Sequence, residues 1–243
     1  MDGVARCTRY AFGPNRLHLC GPDMNREVLG YMEAGETDQG LVDILREFQT
    51  LYPYLHEIAS ANNIRDPFDT RVIEAYWLGN ELLDDISAKI FYGHLVGNLQ
   101  IKKRLNSNTV SYLENKISQG AQMSHCFHVF NVWRKTGNID EMHTLESMDN
   151  CRVSWGEVVG LDGPVLTVLR RPLVQRAHKL FLGSALNTKI VRSLESSSVM
   201  DEVKIGDKIS IHWGVPCEIL NERQVSNLEK YTLKSIALAN LTM

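Results

Sequence analysis

The sequence lacks the short motifs that mark the common catalytic and nucleotide-binding sites. It contains no Walker phosphate-binding loop, no G-x-G-x-x-G, no G-x-S-x-G and no H-E-x-x-H. Its five cysteines are widely spaced and include no Cys-x-x-Cys pair, which disfavours a zinc knuckle and a disulfide framework. We therefore expect reduced thiols and a site of a less common kind.

Strong charge and long apolar runs are also missing. The net charge is −3 and the pI about 6.2, so the chain has no general attraction for polyanions, and we do not expect a nucleic-acid partner. No segment approaches the roughly 18 uninterrupted apolar residues of a membrane span. Residues 1–6 lack the apolar run of a signal peptide. These absences predict a cytoplasmic protein with no membrane partner.

The first 147 residues predict a helical domain. Apolar residues recur at helical spacing from Leu41 to Ile58, where Pro53 should kink or divide the helix. Thr37 or Asp38 can cap this helix. Two further helices are predicted over residues 66–90 and over residues 109–135, the latter ending at Gly137-Asn138.

The pattern changes near residue 148 to short β-branched runs. These runs cover residues 151–159, 165–169, 173–182 and 188–191, with turns at Asp162-Gly163-Pro164 and a loop at Ser196-Ser197-Ser198. Asn221 and Gln224 have capping-box spacing at the start of a last helix. The fold class is thus α+β with two domains, a helical domain at 1–147 and a small OB-like β-barrel with a terminal helix at 148–243. We expect the second domain to fold alone.

Two segments of this second domain resemble the HypC/HupF family of hydrogenase maturation chaperones. They are the run from Val203 to Leu220 and the run from Cys151 to Val159. Cys151 and His212 match the family's cysteine and histidine, and the surrounding scaffold matches at Gly156, Val158, Gly206, Asp207, Gly214 and Glu218. The resemblance covers about residues 150–240.

The resemblance implies a chaperone that handles iron transiently during nickel-iron hydrogenase assembly. Cys151 and His212 would bind metal or dock partners, and those partners would be maturation proteins or a hydrogenase large subunit. Thiolate and imidazole are suitable iron ligands. The chain departs from the family in one respect, because the family's cysteine follows the initiator Met whereas Cys151 is internal. Val153-Ser154-Trp155 also stands where the family usually has Ile-Pro after the cysteine.

Further candidate residues lie in the helical part. Gly13-Pro14 and Gly21-Pro22 predict tight turns that can hold a ligand site of Arg9, Arg16, His18 and Cys20 around an anion, or that merely connect helices. His125 and His128 share a helix face and either present two imidazoles to a metal or substrate or pack in the core.

These residues leave two other functions open beside the chaperone. One is an enzyme whose site lies in the helical domain or at the domain junction and uses Arg16, His18, Cys20, His125 and His128. The other is an OB-fold module for single-stranded nucleic acid, for which Trp155, Phe181 and Trp213 are the available aromatic platforms.

Overall fold

The computed structural model describes residues 2–132, 143–192 and 202–243, and combines helices with antiparallel sheets. The helices in these ranges are α1 Gly3–Arg16, α2 Asn25–Ala34, α3 Gln39–Arg46, α4 Leu51–Ala61, α5 Thr70–Trp77, α6 Ala88–Gly97, α7 Ile101–Arg104, α8 Ser107–Ser118, α9 His125–Phe127, α10 Leu145–Cys151 and α11 Glu222–Ala239. A 3-10 turn spans Glu81–Leu83 and a π-helical turn spans His128–Val132. None of these helices has the length and apolarity that a membrane crossing requires.

The strands follow the change of pattern predicted near residue 148. They are β1 Ser154–Asp162, β2 Val165–Arg170, β3 Leu173–Arg176, β4 Lys179–Leu182, β5 Leu186–Val191, β6 Lys208–His212 and β7 Val215–Leu220. Five of them form a sheet in the order β5-β2-β1-β6-β7, and β3 and β4 form a separate hairpin. All paired strands are antiparallel. Across the described strands, β5 and β7 remain the two edges, so hydrogen bonds do not close the predicted barrel.

The first predicted helix is two helices, as Pro53 suggested, and Asp38 caps the first of them. The Asp38 carboxylate accepts hydrogen bonds from the amides of Gly40 and Leu41. The break lies before Pro53, which is in the first turn of α4. Proline is tolerated there because the amide hydrogen that it lacks would have no acceptor within the helix.

The other two predicted helices were too long. The second ends at Trp77, where the chain turns through Gly79 with a φ of +86°. The third ends at Ser118 and resumes as α9 at His125. Apolar spacing continued across both breaks because the segments on either side pack into the same core. The predicted end at Gly137-Asn138 and the loop at Ser196-Ser197-Ser198 lie outside the described residues.

The largest apolar core is continuous across residue 148. It joins residues of α1, α4 and α5 to Leu173, Leu180 and Leu182 of the β3–β4 hairpin and to Leu228 and Tyr231 of α11. A smaller cluster lies within the five-stranded sheet around Val158, Val168 and Ile209. The division into domains at residue 148 therefore stays a prediction, and the two parts share buried apolar surface.

A buried ion-pair network also ties α1 to the sheet. The Arg6 guanidinium donates to both carboxylate oxygens of Glu218 on β7, at 2.9 to 3.1 Å, and to Glu74 on α5 at 3.2 Å. The Tyr10 hydroxyl donates to Glu218 at 2.6 Å. Since a buried charge without a partner is costly, this network fixes the position of α1 against β7.

Candidate metal centre

His125, Cys151 and His212 converge although they come from three separate elements. One potential ligand atom of each lies within 4.8 Å of the other two. Both histidines are buried and Cys151 is half-buried. Two imidazoles and a thiol are ligands for zinc, iron, cobalt and copper, so this cluster can bind a metal ion.

Cys151 is the last residue of α10 and does not begin the first strand, as the family resemblance implied. The end of α10 is held by Asp149, whose carboxylate accepts hydrogen bonds from the Arg152 and Arg170 guanidinium groups at 2.9 and 2.8 Å. Arg152 is only 1% exposed, so this end of the helix is anchored in the interior. The thiol of Cys151 therefore projects from a fixed backbone.

His212 is the last residue of β6, directly before the turn that connects β6 to β7. Trp213 and Gly214 form this two-residue turn with φ angles of 50° and 72°, the conformation of a type I′ hairpin, which favours glycine. The Trp213 amide donates to the carbonyl oxygen of Asn150 at 2.8 Å. The residue after His212 is thus bonded to the residue before Cys151, and this link brings the two side chains together.

A proline in α1 supplies the acceptor for His212. The Tyr10 carbonyl would normally accept from the amide of residue 14, but Pro14 has no amide hydrogen. The Nδ1 atom of His212 donates to the Tyr10 carbonyl oxygen instead, at 2.7 Å. Gly13 permits this close approach, since a Cβ atom there would lie 2.6 Å from the His212 carbonyl oxygen.

The Nε2 atom of His212 is therefore left with its lone pair. Because a carbonyl only accepts, Nδ1 must carry the hydrogen, and in the neutral ring Nε2 does not. Nε2 is buried, and no group in the described part of the chain donates a hydrogen bond to it. Burial lowers the pKa of His212 to about 4, although the Tyr10 and Cys151 carbonyls favour the protonated form. At neutral pH the side chain thus offers an unpaired lone pair.

Both ring nitrogens of His125 have hydrogen-bond partners, in contrast to those of His212. Its Nε2 atom donates to the carbonyl oxygen of Cys151 at 2.7 Å, and the Tyr76 hydroxyl lies 3.2 Å from Nδ1. Burial, with the neighbouring His212 ring, holds the pKa of His125 well below its usual range. The two imidazole rings meet edge to face, with centroids 5.1 Å apart. His125 can become a ligand only by giving up one of its two hydrogen bonds.

The cluster opens onto a cavity of about 70 Å³. Its potential ligands are Cys20, His125, His128, His143, Cys151 and His212. The remaining wall is mostly apolar and aromatic, including Leu51, Tyr76, Trp77 and Val129. A water molecule occupies about 30 Å³ of liquid, so the cavity has room for an ion with one or two small ligands.

The residues predicted from the helical part divide into two groups. Cys20, His125 and His128 line the cavity, together with Cys151 and His212. Arg9, Arg16 and His18 are absent from its wall, and His18 is exposed, with Nδ1 2.9 Å from a carboxylate oxygen of Asp23. Arg9 and Arg16 each retain one buried nitrogen that finds no hydrogen-bond partner among the described residues. The sequence predicted that Arg9, Arg16, His18 and Cys20 surround one anion. Of these four residues, the structure places Cys20 alone in the cavity wall.

The predicted turn at Gly13-Pro14 was wrong, because both residues lie inside α1. Sequence reasoning also missed Tyr10, whose carbonyl orients His212. The signal was the position of Pro14 four residues after Tyr10, which matters once the segment is known to be helical.

His128 follows α9 in the π-helical turn, and its Nδ1 atom lies 3.0 Å from the Tyr54 hydroxyl. Such turns recur at functional sites.

The chain belongs to the DUF6390 family, whose model matches residues 1–243 and is described as a family of unknown function. No curated protein and no solved structure matches it.

Proposed function

We propose that this DUF6390 protein is a metal-binding accessory protein that holds an ion at Cys151 and His212 during the assembly of a metallocentre in another protein. The observation that carries the proposal is the Nε2 lone pair of His212, which is buried, unpaired and beside a cysteine thiol. Leaving such a group without a partner costs free energy, so its presence in a cavity indicates a ligand.

The hydrogen bond from His212 to Tyr10 supports a metal in particular. Histidines that bind metals commonly donate their second ring N–H to a carbonyl or carboxylate, which fixes both the tautomer and the ring orientation. His212 has this arrangement, with Nδ1 2.7 Å from the Tyr10 carbonyl oxygen. His94 also has a buried Nε2 atom without a partner among the described residues, but it does not line the cavity, so the combination with Cys151 and the cavity distinguishes His212.

The engaged state of His125 supports transfer over permanent storage. A structural zinc site closes its shell with four ligands, whereas a ligand that must first give up a hydrogen bond leaves its position open for exchange. Here Cys151 and His212 are joined by His125, which binds only after it releases the Cys151 carbonyl or Tyr76. Half-buried Cys151 can be reached by a partner's ligands.

The resemblance to the HypC/HupF family supplies the finer part of the proposal. On that basis the cargo is iron, the C-terminal strands correspond to the family's OB-like barrel, and the partners are maturation proteins or a hydrogenase large subunit. The proposal places the protein in the cytoplasm, where a thiol ligand stays reduced. The helical part would contribute His125 to the site and recognise a client or a second maturation protein.

The test measures iron bound by purified full-length protein under anaerobic, reducing conditions. We expect about one ferrous ion per chain in the wild type and a substantial loss in Cys151→Ser and in His212→Asn. Asparagine can still donate to the Tyr10 carbonyl but lacks the Nε2 lone pair. Cys217→Ser is the matched control, because Cys217 is buried and absent from the cavity wall. Equal iron in all four proteins would refute the proposal.

A second candidate function is a thiol-dependent enzyme in which Cys151 is the nucleophile and His212 is the base. A neutral imidazole beside a thiol can remove its proton and generate a nucleophile, and the apolar cavity would exclude water from a small substrate. This function predicts rapid alkylation of Cys151 without metal, slowed strongly by His212→Asn. The accessory function predicts instead that added metal protects Cys151 from alkylation.

The nucleic-acid function has less support from the described residues. Of the three aromatic side chains considered, Phe181 is 47% exposed, whereas Trp155 and Trp213 are half-buried. Stacking of successive bases requires several exposed rings along a basic groove.

A further inference from the structure

We infer that Cys20 supplies a second thiolate to this site, so that Cys20, Cys151, His212 and His125 together hold one divalent ion as an electrically neutral complex. The inference rests on the proposed function, because it assigns a further ligand to the same ion. Cys20 comes from the loop between α1 and α2, far from Cys151 in the chain, yet both line the one cavity.

The loop that carries Cys20 is built to a fixed conformation. Asn15 is 1% exposed, and its side-chain amide donates to the carbonyl oxygens of Cys20 and Pro22 at 3.0 and 2.8 Å. Gly21, with a φ of +84°, lies against the Phe48 ring, and a Cβ atom there would be 2.3 Å from a ring carbon. A buried amide and a glycine thus hold Cys20 at the cavity, which accounts for the unusual Gly-Pro-rich segment of the sequence.

Charge balance requires a second anion. Histidine binds a metal as the neutral imidazole, and among the described residues no carboxylate lines the cavity. A divalent ion with the Cys151 thiolate alone would leave one net positive charge in a mostly apolar cavity, which is strongly unfavourable. Apart from Cys151, the described lining groups that can become anionic are Cys20 and Tyr76, and thiolate is much the better ligand for such ions.

The four side chains also form a known combination of metal ligands. Two thiolates and two imidazoles are the tetrahedral combination preferred by zinc and are well suited to ferrous iron and cobalt. A free lone pair on buried His212 points independently to a ligand in the same cavity. Cys20 is not among the three groups whose ligand atoms lie within 4.8 Å of one another, so on this inference its side chain moves toward them when the ion binds and completes the combination.

The test uses Co²⁺ as a spectroscopic probe of the full-length protein under reducing, anaerobic conditions. Thiolate-to-cobalt charge-transfer absorption increases with the number of bound thiolates, and visible d–d bands report tetrahedral geometry. We expect Cys20→Ser to bind one cobalt ion with about half the charge-transfer intensity of the wild type and at least tenfold weaker affinity. Cys217→Ser should match the wild type in both.

The outcomes separate this inference from the proposed function. Cobalt bound with equal charge-transfer intensity in the wild type and Cys20→Ser would overturn the role of Cys20 and leave the Cys151–His212 site intact. A wild type that binds no cobalt would overturn both. If Cys20→Ser does not fold, mass-spectrometric mapping of alkylated wild type decides. Cobalt should slow the alkylation of both Cys20 and Cys151, and alkylation of Cys20 unchanged by cobalt would refute the inference.

Discussion

His212 donates a hydrogen bond from Nδ1 to the main-chain carbonyl of Tyr10, over 2.7 Å, where a helical amide would normally be the donor. The donor is missing because residue 14 is a proline. The bond fixes which nitrogen of His212 carries the hydrogen, and therefore which nitrogen keeps a lone pair. A local irregularity in α1 thus sets the chemistry of a residue at the other end of the chain.

Replacement of Pro14 by Ala should separate stability from metal binding. Alanine restores an amide hydrogen that competes with His212 for the Tyr10 carbonyl, while helix propensity improves. We expect an unchanged or higher melting temperature together with a roughly 10- to 100-fold loss of metal affinity, the usual effect of losing a hydrogen bond that orients a metal ligand. Calorimetry and cobalt titration measure the two quantities. Wild-type affinity in Pro14→Ala would show that this bond does not orient the ligand.

Replacement of Gly13 by Ala should move α1 away from the β6–β7 turn. The added Cβ atom would lie 2.6 Å from the His212 carbonyl oxygen, so the backbone must shift at a cost of about 1 to 3 kcal/mol. Gly93→Ala in α6 is the matched control, since nothing lies within 4 Å of its Cβ position and alanine favours the helix. Chemical denaturation should rank Gly93→Ala above the wild type and Gly13→Ala below it. The reverse order would contradict the close approach of α1.

The stability of the metal-free protein should fall on acidification between about pH 6.5 and pH 4. The ordinary pKa of histidine is about 6.5, whereas burial lowers that of His212 to about 4. In this window the unfolded chain binds a proton that the folded protein does not, so stability decreases as the pH falls. The difference of about 2.5 pKa units corresponds to about 3 kcal/mol for this residue.

His212→Asn should remove that part of the pH dependence. His178→Asn is the control, because His178 is exposed on the β3–β4 turn and asparagine tolerates its positive φ. Denaturation curves measured at several pH values should give a shallower slope for His212→Asn and an unchanged slope for His178→Asn. Parallel curves for wild type and His212→Asn would show that His212 titrates normally.

Glu218→Gln should be strongly destabilising. It removes the negative charge that pairs with the buried Arg6 guanidinium and replaces one of the two acceptor oxygens of that contact with an amide donor. Breaking a buried pair in this way costs about 3 to 5 kcal/mol. Glu229→Gln is the control, because the Glu229 side chain is 45% exposed and lies 3.9 Å from Arg171, so loss of this pair should cost less than about 1 kcal/mol. Equal effects of the two substitutions on the melting temperature would rule out a structural role for the network.

The sequence predicted the element types well where local chemistry determines them. The Asp38 cap, the Asp162–Val165 hairpin and the Asn221–Gln224 capping box are present as expected, because each depends on residues within a few positions. The sequence did not predict the helix ends at Trp77 and Ser118. The segments before and after each end pack into one core, so the apolar spacing continues across the break.

The site itself required information that sequence spacing does not contain. Cys151 and His212 were predicted as a pair by resemblance, but the addition of His125 and Cys20 depends on how helices and hairpin pack. The histidines could not be separated into ligands and packing residues without their hydrogen-bond partners. Tyr10 and Pro14 carry no sequence signature of a metal site, because their role arises only from a missing amide hydrogen inside a helix.

The most direct test of the account is X-ray absorption spectroscopy of the zinc-loaded full-length protein. We predict sulfur at about 2.3 Å and imidazole nitrogen at about 2.0 to 2.1 Å from the metal, the distances found in zinc sites. The sulfur contribution should decrease in Cys151→Ser and the imidazole contribution in His212→Asn. A shell of oxygen alone in the wild type, or identical shells in the wild type and both variants, would contradict the assignment of Cys151 and His212 as metal ligands.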